Sequence, residues 1–431
     1  MTNWLAAIVA VLAIEGCART VEFDAGDAGG DGIARQDAPA CTTCGAGCVD
    51  TSSDHANCGG CGTACTAVQA CVSGRCVAPA LDVLLMVDNS NSMRENQSNL
   101  MSQFHSMLLT LTSPPCVSSS NPTPHTCNTA DPADRPQYVP FASVNVGVVS
   151  SDLGTPGGTV PGCLNADLGD DGLLNPVRYG QALAHHEPWT TASLTFGRPG
   201  DCTSATEFPS FITYTSGTTD ATQFTHDFQC NAGLFVNGCG LESPLDAVYR
   251  ALVIHDARAT PGNTSPNAGF LREDALLAII VLTDEEDGSV RDCRFANGSA
   301  CTGQGGTDVY NLASNAWAAY ELNLRFYMYR PCGPQDPTWR LERYVDPANP
   351  GAGLLALKPG HPERVLFSAI VGVPLAIPTV AGGAIDWDAL LGRPGANRED
   401  FCQRDTTMLG TVMSAEGPVS MRPASMDPDC A

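Results

Sequence analysis

The stretch 81–93, LDVLLMVDNSNSM, is a near-continuous apolar run that ends in Asp88, Ser90 and Ser92 at two-residue spacing. An unbroken run of this kind reads as a strand buried on both faces, as in a parallel sheet covered by helices. The carboxyl ends of such strands are where open α/β sheets place ligands. Asp88 offers an anionic oxygen and the two serines offer hydroxyls, hard donors suited to Mg²⁺ or Ca²⁺. Downstream, Ser92-Met93-Arg94-Glu95 has the form of a capping box, and Met93, Leu100, Phe104, Met107 and Leu111 recur at helical spacing, which predicts a helix over 92–111. Ser92 therefore reads both as a helix cap and as a ligand. A cation beside a helix N-terminus is opposed by the macrodipole and needs carboxylates to offset it.

Two later segments supply candidates. Residues 275–289, ALLAIIVLTDEEDGS, form a second buried-strand run ending in Thr283 and Asp284, and Asp284 is the ligand candidate there. Glu285, Glu286 and Asp287 read as a solvated acidic loop, with a second, weaker Ca²⁺ site as the alternative. In 238–252, GCGLESPLDAVYRAL, Ser243 reads as an N-cap and Pro244 as the first helical residue, with Leu245, Val248 and Leu252 on one face.

Asp88-x-Ser90-x-Ser92 after a buried strand resembles the start of the metal-ion-dependent adhesion site of von Willebrand factor type A (VWFA) domains. That resemblance implies a Rossmann-like α/β fold, here with long disulfide-rich insertions and a small disulfide-rich module in front. It implies an ion, Mg²⁺ or Ca²⁺, held by Asp88, Ser90 and Ser92, with Asp284 acting through water. Where that family has a Thr ligand on the loop before the 243–257 helix, this chain has Glu242. Glu242 then either replaces the Thr or stands in for the acidic residue of an absent partner. Three carboxylates at one ion would reduce its attraction for a partner's carboxylate.

With 46 acidic against 22 basic residues, a net charge of -24 disfavours nucleic acid and anionic lipid as partners. Lys358 is the only lysine, and we read that as a compositional habit. Twenty scattered Cys point to disulfides and an oxidising compartment. Residues 4–14 are apolar but too few to span a bilayer, and they lead to Ile14-Glu15-Gly16-Cys17. This resembles a bacterial lipobox, implying lipidation at Cys17, with ordinary signal cleavage and secretion as the alternative. Ala18 after the Cys then implies the outer membrane or cell surface, the N-terminal lipid being the only membrane contact.

The predicted organisation is an export segment at 1–17, a flexible Gly/Ala/Asp-rich linker at 18–40, a Cys-rich module at 41–78 and an enlarged α/β domain at 80–431. In the module, Cys41, Cys44, Cys48 recurs as Cys58, Cys61, Cys65, followed by Cys71 and Cys76. Eight Cys in so short a segment predict disulfides of undetermined connectivity, a zinc ribbon using His55 being the alternative. In the larger domain, strands are predicted near 82–87, 144–150, 275–282 and 364–372, and helices near 92–111, 243–257 and 307–320. Residues 112–140 and 153–235 read as irregular, disulfide-fixed insertions. Within them Asp167, Asp170 and Asp171 read as a solvated turn, Asp152 as a loop cap, and His185-His186 as a surface pair. Eleven Cys follow residue 115, so one is expected to lack a partner. The last residues show no clear final strand and helix, and we expect either an early end or an irregular cap.

The function expected is a non-catalytic, metal-dependent adhesion or protein-interaction module at the cell envelope, meeting its protein ligand through an acidic side chain. A structural envelope protein with a fold-stabilising Ca²⁺ or Mg²⁺ site is the first alternative. A metal-dependent hydrolase is the second, although no nucleophile elbow, phosphate loop or His-Glu-x-x-His is present.

Overall fold

β5 (Ala80–Val87) has seven fully buried residues in a row, and that burial places it at the centre of a five-stranded sheet. A computed structural model describes residues 42–155, 169–175, 209–290, 338–371 and 411–420, each with short gaps, and a few single residues between. β8 (Ser143–Ser150), β10 (Leu276–Leu282) and β11 (Val365–Ile370) run parallel to one another and to β5, and β9 (Phe211–Thr215) is antiparallel at one edge. The sheet is therefore mixed and mostly parallel, and the fold is α/β.

α1 (Arg94–Thr112) and α2 (Ala221–Ala232) cover one face. Met101, Phe104, Leu108 and Leu111 of α1 meet Phe224 and Phe228 of α2 over Val83, Leu85 and Val87, with the Phe104 and Phe228 rings stacked. The other face packs Leu84 and Met86 against α3 (Pro244–Tyr249), which continues into a π-helical turn at Arg250–Ile254, and against Tyr344 and Leu354. Burying each such side chain contributes about 1.5–3 kcal/mol, which is why the strand ends are fixed points. Among the described residues no helix is long and apolar enough to cross a membrane.

The four predicted strands form within two residues of their expected bounds. The two helices form as well, but α1 begins after a 3₁₀ turn at Asn91–Met93, and Ser92 makes no capping bond. The irregular reading of 153–235 is corrected, because it includes β9 and α2. FITYT carries β-branched and aromatic residues, and Asp220 caps α2 by accepting from the N–H groups of Thr222 and Gln223. The solvated-turn reading of 165–174 is also corrected. Asp170 is buried and accepts from Ser150 Oγ at 2.5 Å, and Asp171 pairs with Arg250 and His255. Gly172, at a positive φ, lets this loop pass under the helix, where a Cβ would lie 2.8 Å from Arg250 Cβ. The predicted helix at 307–320, Asp167 and the His185-His186 pair lie outside the described residues, as do Cys17 and the residues before 42.

In front of the sheet the Cys-rich module makes two short antiparallel pairs, β1 (Thr42–Cys44) with β2 (Gly47–Val49) and β3 (Ala70–Val72) with β4 (Arg75–Val77). Disulfides join Cys44 to Cys61, Cys58 to Cys71 and Cys65 to Cys76, and Cys48 is disulfide-bonded too. These sulfurs are consumed as cystines, so the zinc-ribbon alternative is not what forms. Cys116 joins Cys127 and Cys163 joins Cys239 in the larger domain.

At the amino end of β5, Asp82 is fully buried and accepts from Arg272 N–H and Nε at 2.8 Å, with Lys358 Nζ at 4.0 Å. Lys358 also donates to the Arg272 carbonyl, so the single lysine is a structural tie and not only a compositional habit. Burial raises the Asp82 carboxyl above its usual range even with Arg272 beside it. Arg272→Met should therefore destabilise the protein by about 3–5 kcal/mol in urea unfolding, because it strands a buried carboxylate. Removing the exposed Arg258–Asp256 pair by Arg258→Ala should cost less than about 1 kcal/mol.

Candidate metal centre

Strand register decides which side chains meet at the carboxyl edge. Val87 lies level with Leu282 of β10 and with Ser150 of β8, so the next residues, Asp88, Thr283 and Ser151, emerge side by side. Asp88 N–H donates to the Leu282 carbonyl at 2.9 Å, which carries the pairing one residue past the strand. The buried Asp88 carboxylate then accepts from Thr283 Oγ1 at 2.6 Å, Ser90 N–H at 2.7 Å and Ser151 Oγ at 3.4 Å. Ser90 Oγ lies 3.0 Å from Ser92 Oγ, and Ser92 Oγ donates to Asp284 Oδ1 at 3.0 Å. Asp88, Ser90, Ser92 and Asp284 are thus brought together in one hydrogen-bonded chain, although Asp284 is 192 residues from Ser92.

Glu242 comes from the loop before α3. Gly288 N–H donates to its carbonyl at 2.7 Å and Ser243 N–H donates to the Ser151 carbonyl at 2.9 Å, which pins it between the β8 and β10 loops. Its carboxylate is buried, and among the described residues no other residue donates a hydrogen bond to it. Burial, then repulsion by Asp88, with Glu285 and Asp284 adding, pushes Glu242 up to about 9. Burial also raises Asp88, against the hydrogen bonds from Thr283 and Ser90. No Arg, Lys or His lies within salt-bridge distance of Asp88, Glu242 or Asp284 among the described residues.

These donors are carboxylates and hydroxyls, the set that Ca²⁺ and Mg²⁺ prefer, and the buried acids have no counter-charge among the described residues, so the residues fit a divalent ion. The three carboxylates do not close to within 4.8 Å of one another; among the described residues only Cys58, Cys65 and Cys71 do, and those are cystines. Ligand oxygens on one Ca²⁺ are at most about 5 Å apart. In this arrangement, then, at least one carboxylate would meet an ion through water.

Several residues of the site escaped the sequence reading. Thr283, Ser151 and Gln97 carry no local sequence pattern that marks them as site residues. Gln97 is buried on α1 and donates through Nε2 to the Asp88 carbonyl at 2.9 Å. Asn89 is fully buried with both amide atoms unpartnered, and Gly238 lies so close that a Cβ there would fall 2.2 Å from Asn89 Oδ1. The acidic-loop reading is corrected at Asp287, which caps α3 by accepting from Leu245 N–H at 3.0 Å, while Ser289 Oγ accepts from Asp246 N–H. Ser243 takes the N-cap position but donates to the Gly288 carbonyl instead of capping. Asp152 fixes two loops by accepting from Gly154 and Cys239 N–H groups.

Residues 31–95 match the model of the Stigma-specific STIG1-like protein family. No curated protein and no solved structure matches the chain. This corrects the family expected from the sequence: the match falls on the Cys-rich module and the strand after it, and no VWFA model matches. Asp88-x-Ser90-x-Ser92 is too short a signature to carry a family assignment, whereas the spaced Cys residues extend over the whole module. The match covers too little of the chain to place the remainder in any family.

The folded Glu242 carboxyl keeps its proton where the unfolded one, near 4.5, has lost it. In chelator, stability should be full below about pH 4.5 and fall as pH rises through about 9, by on the order of a few kcal/mol. Chemical unfolding at pH 5 and pH 9 checks this, and Glu242→Gln should flatten the difference.

Proposed function

We propose that this chain is a non-catalytic, divalent-cation-dependent protein-interaction module that works outside the reducing cytosol, held at the cell surface through Cys17 or secreted. The observation that carries the reading is a pair of buried carboxylates, Asp88 and Glu242, that share one strand edge with Asp284 and have no cationic neighbour among the described residues. An ionised acid buried in this way costs several kcal/mol unless paired, so Glu242 holds its proton in the absence of an ion, and a divalent ion is the partner that the surrounding hydroxyls suit. Asp284 and Ser92 are exposed, which leaves one side of the centre open to a protein ligand. The disulfides support the oxidising compartment.

A second reading, an ion that only stabilises the fold, is favoured by the depth of Asp88 and Glu242. Calorimetric titration with Ca²⁺ and Mg²⁺ should show one site, lost in Asp88→Asn. At 100 times the dissociation constant the ion should add about 2.7 kcal/mol of stability. Pull-down from an envelope extract then separates the two readings. A chelator-reversible partner lost in Asp88→Asn supports the interaction module, whereas stabilisation with no such partner supports the fold-stabilising ion.

A further inference from the structure

We infer that Glu242 completes the charge of the metal centre from within the chain, so that the loaded centre does not take a carboxylate from its partner. This rests on the metal reading above. Three features of the loop carry it. First, the Glu242 backbone is held by main-chain bonds on both sides, Gly288 N–H to its carbonyl and Ser243 N–H to Ser151, and its side chain is buried between them. Ser151 in turn places its hydroxyl on Asp88, so the peptide after Glu242 is anchored to a residue that touches the central carboxylate.

Second, the loop is clamped at its start. Cys239 is joined to Cys163, its N–H is held by Asp152, and Gly238 N–H donates to the Asn89 carbonyl at 2.9 Å. Asn89 itself, fully buried between Asp88 and Ser90, keeps an amide with no hydrogen bond wedged against Gly238. This close fit leaves no room for a side chain at residue 238 and adds a third hold on the start of the loop.

Third, the charges add up. With Glu242 ionised in the loaded centre, Asp88, Glu242 and Asp284 bring three negative charges to an ion of charge two, and Glu285 stands exposed beside them. A centre that remains negative after loading repels an acidic side chain. High carboxylate content with hydroxyls and a flexible count of oxygens also favours Ca²⁺ over the strict octahedron of Mg²⁺. The partner surface is then neutral or basic, in contrast with the acidic ligand expected from the sequence.

The full chain is titrated with Ca²⁺ alone, as wild type, Glu242→Gln and Glu242→Asp, and each is passed over an immobilised glutamate-rich peptide in Ca²⁺ and in chelator. Glu242→Gln should lose on the order of 10-fold or more in Ca²⁺ affinity, and Glu242→Asp, which keeps the charge, should lose less. Wild type should show no Ca²⁺-dependent retention on the acidic peptide. Unchanged Ca²⁺ affinity in Glu242→Gln, or chelator-reversible retention of wild type, overturns the inference while leaving the metal centre standing. Failure of wild type to bind either Ca²⁺ or Mg²⁺ overturns the metal reading beneath it. Should Glu242→Gln not fold, the Glu242→Asp titration and the wild-type peptide arm decide alone.

Discussion

The parallel pairing of β5 with β8 on one side and β10 on the other is the constraint on which the rest of the molecule depends. It is fixed by burial, because almost every residue of the three strands is enclosed by helices on both faces. A slip of one residue would turn each side chain to the opposite face and move Asp88 away from Thr283 and Ser151 together. The centre therefore inherits its precision from apolar side chains that never touch it. Leu84, Met86 and Ile279 do as much to place the Asp88 carboxylate as its own hydrogen bonds do.

β5 and the turn that follows carry two fully buried aspartates, and their environments differ in a way that bears on function. Asp82 is met by Arg272 from two directions and by Lys358 beyond it, so its charge is answered within the chain. Asp88 is met by hydroxyls and one amide, which satisfy its lone pairs but not its charge, and a second buried acid, Glu242, repels it. A chain that sets its only lysine at one end of a strand, and at the other buries two acids that no cation reaches among the described residues, is poised for a positive charge from outside. Burial energetics alone would disfavour that arrangement.

Much of this was legible before the fold. An apolar run such as LDVLLMV has only one environment that suits it, and Asp88, Ser90 and Ser92 at its end declared hard-donor chemistry. What stayed hidden was non-local. Ser151 and Gln97 have no local pattern that marks them, since each reaches Asp88 only through strand register or helix packing. Asp170 and Asp171 looked like a solvated turn because acidic residues beside glycine usually are, yet Ser150 and Arg250 draw them inward from elsewhere in the chain. β9 and α2 had local signals, in FITYT and in Asp220 with Phe224 and Phe228. Their Gly-, Thr- and Cys-rich surroundings diluted those signals. The brief resemblance at Asp88 misled on family for the opposite reason: five residues can satisfy the geometry of an ion without carrying descent.

Covalent ties take over where packing is thin. The Cys-rich module has little apolar surface to bury, and its two-stranded pairs would be marginal alone, so Cys44–Cys61, Cys58–Cys71 and Cys65–Cys76 hold it. The same logic applies at the candidate metal centre. Strand ends hold Asp88 and Thr283, but Glu242 sits on a connection that β-sheet packing does not reach. There Cys163–Cys239, the Asp152 carboxylate and the fit of Gly238 against Asn89 act together with a small separate core of Leu241, Val290 and Tyr310. A loop that merely linked two elements would need none of these. Holding a buried acid against its own repulsion requires a backbone that cannot yield, and three independent restraints in the few residues before Glu242 supply one.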